Sequence, residues 1–159
     1  MRYPDKCIRK AILLLNEVKD EICEKHTHKI ISTLWIIIEL LLRAIIFHYK
    51  HVTYDKPGKL ISVLGRAILP IINIDDIIPR LNTLYDLRSR TVHRSDIMGS
   101  KELRKALMLF CHILNVLSDE LRSLYPNIEE MLEDAEGLCH SKVIDSTRRN
   151  DTMRGSDIS

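Results

Sequence analysis

Leu34-Trp-Ile-Ile-Ile-Glu-Leu-Leu-Leu-Arg-Ala44 is the stretch whose reading decides the fold. It lies within an apolar run from Ile30 to Phe47 that is nearly long enough to cross a bilayer. Glu39 and Arg43 stand in its middle, and each charge would cost about 2.5–3.5 kcal/mol at a membrane centre. Four residues apart, the two can face each other along a helix. The run therefore reads as a helix from about His28 to Lys50 at the centre of a bundle, apolar nearly all round, and not as a membrane span. Such a helix must be covered by its own bundle or by a partner chain. That leads to the expectation of a homodimer, since a lone bundle of this size would struggle to cover it.

Outward from this helix, the rest of the chain also carries helical periodicity. Pro4 and Asp5 suit the start of a helix reaching about His26, with Ile8, Ile12, Leu15, Val18 and Ile22 as its apolar stripe. Pro57-Gly58 closes the loop after the central helix, and Leu60, Ile61, Leu64 and Ile68 mark a short helix before Pro70. Asp75-Asp76 can cap a further helix with Pro79 in its first turn and Ile77, Ile78, Leu81, Leu84, Tyr85 and Val92 on its buried face. Gly99-Ser100 precedes a long helix carrying Leu103, Leu107, Phe110, Leu114, Leu117, Leu121 and Leu124, which Pro126 stops. Asn127 with Glu130 resembles a capping box for a short last helix to about Leu138.

The expected fold is all-α, an antiparallel bundle of four or five main helices over residues 1–125. A short C-terminal helix is expected within 126–144, and a flexible tail over 145–159, where Ser, Thr, Arg, Asn, Asp and Gly replace the apolar pattern.

Composition narrows the function classes. Of 159 residues, 45% are hydrophobic and 29% charged, with five Gly and five Pro, which disfavours both disorder and an all-β fold. A net charge of +2 is too mild to announce nucleic-acid binding, yet it allows a local basic patch. Cys7, Cys23, Cys111 and Cys139 show no Cys-x-x-Cys spacing and read as reduced, packed thiols in a cytoplasmic protein. The opening residues, Met-Arg-Tyr-Pro-Asp-Lys, lack the apolar stretch of a signal peptide. His26 and His28 with His48 and His51 could suggest a metal, but i,i+2 pairs do not share a helix face, so surface histidines are the preferred reading and neither metal nor cofactor is expected. Trp35 and Phe47 read as packing residues.

One segment carries a chemical possibility. In Leu87-Arg-Ser-Arg-Thr-Val-His93, Arg88 offers a permanently charged fork to phosphate oxygens and His93 titrates near neutrality. Together they could drive attack of an RNA 2′-hydroxyl on the adjacent phosphate. Ser89, Arg90, Arg94 and Ser95 would add polar and positive contacts to the substrate. By spacing alone a solvated basic turn between two helices is the favoured reading of the cluster. Arg43 and His48 repeat the same spacing, yet there an ion pair with Glu39 and a helix C-terminus suffice.

The helix Leu34–Ala44 and the segment Leu87–His93 together resemble the HEPN family of small helical, nucleic-acid-associated domains. The first looks like that family's second helix, and the second like its Arg-x(4–6)-His motif ahead of the last long helix. The resemblance covers about residues 1–125. It implies a metal-independent endoribonuclease, active as a homodimer whose two motifs meet at one cleft, with Arg88 and His93 catalytic. Glu39 reads first as a simple ion-pair partner of Arg43, and orienting the catalytic arginine from a neighbouring helix is its second, less favoured role. Ser89 stands where the family often has Asn. Ser95 stands where a tyrosine modified by a nucleotidyltransferase antitoxin would lie. The alternatives are a non-catalytic accessory subunit of the same fold, paired with a nucleotidyltransferase or another effector as in a toxin–antitoxin pair, and a helical adaptor without a nucleic-acid role.

Overall fold

Pro4 sits in the first turn of a helix because its missing N–H is needed by no intrahelical bond there, and Asp5 follows at the positive end of the dipole. The computed structural model describes residues 2–22, 26–54, 56–68, 77–93 and 99–140. Its α-helices are α1 (Tyr3–Glu21), α2 (Thr27–Lys50), α3 (Pro57–Val63), α4 (Ile78–His93), α5 (Ser100–Leu124) and α6 (Glu129–Cys139), with no strand among the described residues. The protein is an all-α helical bundle.

Helix α2 is the axis of the fold, packed by α1, α4 and α5, with α3 at its side. Fourteen of its residues are buried, including Trp35, Ile37, Ile38, Leu41 and Leu42. By length and composition it could cross a membrane, yet 78% of its most apolar window is covered by the other helices. The argument for a dimer from an uncovered central helix therefore fails, because the chain covers α2 by itself.

Helices α1 and α2 are antiparallel: the Tyr3 ring at the start of α1 meets Phe47 near the end of α2, with centroids 5.1 Å apart. Helices α5 and α6 are antiparallel as well. Arg122 Nε donates to Glu129 beside their turn, 2.8 Å, and Cys111 and Cys139 are joined by a disulfide further along. The expectation of reduced thiols is thus overturned for this pair. Cys7 is free and buried.

Several helix ends differ from the sequence reading. Helix α1 stops at Glu21, short of His26. Helix α2 ends on His51 in the left-handed conformation, φ 54°, with its N–H returned to the Phe47 carbonyl. Non-glycine residues rarely adopt this conformation, although His is among the more tolerant, and the His51 ring gains an edge contact with Phe47. Helix α3 runs into a π-helical turn, Leu64–Ile68. Glu102 accepts a hydrogen bond from the Gly99 N–H, 2.9 Å, tying down the start of α5, and such backbone donors hold its carboxyl below the usual range. The expected Asn127/Glu130 capping box does not form: Pro126–Ile128 makes a 3₁₀ turn, and α6 starts at Glu129 without a side-chain cap. The expected Asp75-Asp76 cap and the tail over 145–159 lie outside the described residues.

Two hydroxyls stitch α2 to the end of α5. Tyr49 donates to Glu120, which pushes the phenol up to about 12. Buried Tyr125 donates to the Ala44 carbonyl at 2.9 Å, and burial pushes it too up to about 12. Removing the second bond with Tyr125→Phe should lower stability by about 1 kcal/mol. A melting temperature about 2–4 °C lower checks this, and an unchanged one would show that the bond adds nothing net.

Candidate active site

The α2/α4 contact sets the site. Trp35 on α2 and Tyr85 on α4 meet with ring centroids 5.2 Å apart. About one turn along each helix stand Glu39 and Arg88. Glu39 is only 8% exposed and accepts a hydrogen bond from Arg43 Nη2 at 2.9 Å. Burial raises its carboxyl above the ordinary 4.5. The positive charges of Arg43 and Arg88 oppose that rise without cancelling it. Arg88 is therefore close enough to feel this carboxylate. Its Nε is buried without a hydrogen-bond partner.

Arg43 extends the cluster to α1. The Tyr3 hydroxyl donates to the Cys7 sulfur, and Arg43 acts on both groups. Tyr3 and Cys7 were not singled out as candidates from the sequence. Their i,i+4 spacing on α1 was the available signal, but only the packing shows that Arg43 faces them. The reading of Glu39 as partner of Arg43 holds, and the structure adds Arg88 as the second charge on the same carboxylate.

The remaining candidates divide by position. Ser89 and Arg90 are half-buried, and Arg90 acts on Glu102 in the first turn of α5. Thr91 closes its hydroxyl onto the Arg88 carbonyl at 2.6 Å, and Val92, expected on the buried face, is instead 53% exposed. His93 is the last helical residue of α4. Helix α4 is continuous through it, so positions 88 and 93 differ by about 140° around the axis and about 7.5 Å along it. One copy of α4 therefore does not set the two positions on one face. Arg94 and Ser95 lie outside the described residues, as does the side chain of His93.

Neither of two open clefts is lined by Arg88. One, between α5 and α6, is about 570 Å³. The other, about 410 Å³, is lined by Tyr54, Lys59, Ser62, Val63 and Arg66. Among the described residues no group of three or more His, Cys, Asp or Glu side chains is placed to hold a metal ion. No protein-family model matches the chain, and no curated protein matches it.

The burial of Glu39 near two arginines has a measurable sign. A carboxyl raised in the folded state keeps a proton that the unfolded chain releases. Stability contributed by that proton falls as pH rises from about 4.5 through the folded value. Glu39→Gln removes the buried charge and this slope, so the variant should gain on the parent between pH 5 and pH 8. Melting temperatures at both pH values test it. A variant that instead loses ground at pH 8 would mean that the two arginines outweigh burial.

Proposed function

We propose that the protein is a metal-independent endoribonuclease of the HEPN type, acting as a homodimer. Arg88 binds the scissile phosphate and stabilises its developing charge, and His93 moves the proton of the attacking 2′-hydroxyl or of the leaving oxygen. The single observation that carries this reading is that α2 and α4 pack together through Trp35 and Tyr85, with the half-buried Arg88 near enough to bias the Glu39 carboxylate. A carboxylate behind an arginine holds its fork in one direction. With the Nε buried, the outer nitrogens of the guanidinium are the donors proposed for the phosphate.

Positions 88 and 93 point to different sides of α4, so the proposed cleft is completed across a two-fold axis. Arg88 of one protomer would work with a histidine at position 93 of its partner. Arg90 and Arg94, two and six residues after Arg88 in the sequence, add positive charge to this segment. The proposed setting is the cytoplasm.

The continuity of α4 through His93, with Val92 exposed beside it, favours one other reading. In that reading this edge of the bundle is an accessory surface for a nucleotidyltransferase or another effector, and the pair never meets. Purified protein incubated with mixed RNA in EDTA, beside His93→Ala, separates the two. Cleavage by the parent alone supports the ribonuclease. RNA left intact by both supports the accessory subunit.

A further inference from the structure

The Cys111–Cys139 disulfide is not enclosed by the core. Both half-cystines are partly exposed and line the cleft of about 570 Å³ between α5 and α6, with His112, Ser118, Glu136 and His140 around them. His112 Nε2 is buried without a hydrogen-bond partner in the wall of that cleft. An electrophilic sulfur pair, an imidazole nitrogen left unpaired, and room for a small peptide thus share one opening.

The two helices do not depend on the bond alone. Ile128, Met131, Leu132 and Leu138 are buried in the core. Arg122 holds Glu129, and Lys19 of α1 reaches Asp134 of α6 at 3.5 Å. Helix α6 can stay docked while the bond opens. A disulfide locked in a core cannot be attacked without unfolding, whereas an accessible one exchanges in the native state.

From this arrangement we infer that the α5/α6 cleft is a thiol–disulfide exchange site for a small thiol peptide. The incoming thiolate attacks one sulfur of the pair, forming a mixed disulfide and releasing the other cysteine as a thiolate. A second thiolate then attacks the mixed disulfide. It leaves as the oxidised peptide disulfide, the second cysteine is freed, and two electrons have passed from the thiol peptide to the protein. His112 takes up the proton of the incoming thiol and returns it to the departing cysteine sulfur. Disulfides in glutathione-containing compartments are mostly of this exchangeable kind. The inference does not depend on the ribonuclease reading.

Glutathione is the probe, acting on the full chain carrying Cys23→Ser, without denaturant. Samples are quenched with an alkylating reagent and mapped by mass spectrometry. Cys7, buried in the core, serves as the reporter of unfolding. Labelling of Cys111 and Cys139 while Cys7 stays unlabelled is the expected result. Glutathione disulfide added to the reduced protein should give an adduct on Cys111 or Cys139. His112→Asn should slow exchange about tenfold or more at unchanged circular dichroism. A bond that resists glutathione until urea also exposes Cys7 is a purely structural crosslink and overturns the proposal. Joint labelling of all three without denaturant overturns it as well, and an unchanged rate in His112→Asn removes that residue from the site.

Discussion

Replacing His93 with alanine should lower RNA cleavage by about 10²–10⁴, the usual loss when a general acid or base is removed. Arg88→Ala should cost about 10²–10³, by analogy with the loss of a single donor from a charge-stabilising site. Arg88→Lys should recover little, because a point ammonium cannot reproduce the guanidinium fork. Activity should survive chelators. It should need the 2′-hydroxyl, so DNA of the same sequence stays intact and the product ends in a 2′,3′-cyclic phosphate or a 3′-phosphate.

Arg43 provides the internal control. It pairs with Glu39 at 2.9 Å and acts on Tyr3 and Cys7, so Arg43→Ala should destabilise the bundle yet leave activity per folded molecule. Mixing His93→Ala with Arg88→Ala protein is the sharper experiment. If each cleft takes its arginine and histidine from different protomers, a heterodimer of the two variants rebuilds one complete cleft and regains part of the activity. If both single variants cut RNA at the parent rate, the ribonuclease assignment is wrong and the accessory reading replaces it.

The sequence carried the central helix well. An apolar run holding one charge pair four residues apart has few other solutions, and α2 spans Thr27–Lys50 as the spacing of Leu34–Ala44 implies. Pro4 and Gly99 likewise mark helix starts by local backbone chemistry alone. What the sequence hid depends on two helices at once. Arg88 acts on Glu39 because Trp35 and Tyr85 bring α2 and α4 together, and neither segment encodes that register by itself. The early stop of α1 and the 3₁₀ turn at Pro126 show the same limit at helix ends, where the fit of neighbouring helices overrides a capping pattern such as Asn127/Glu130.

The disulfide was legible in principle, given the α5/α6 hairpin. Arg122 and Glu129 mark the turn, and Cys111 stands eleven residues before the first while Cys139 stands ten after the second. At about 1.5 Å per residue the two cysteines reach nearly the same height on antiparallel helices. Their separation of 28 residues closes a loop whose loss of freedom in the unfolded chain amounts to about 3–4 kcal/mol in the chain-entropy account. The double variant Cys111→Ala/Cys139→Ala should therefore melt on the order of 10 °C below the parent. Both positions are changed together so that no lone thiol is left in the cleft. The chain should still fold, because Met131, Leu132, Ala135 and Leu138 bury the inner face of α6 without help from the bond. Circular dichroism should show native helix content at 25 °C, and thermal scans of parent and variant give the difference. A melting temperature within about 2 °C of the parent would mean that the α5/α6 hairpin already persists in the unfolded chain, so that the crosslink restrains nothing there.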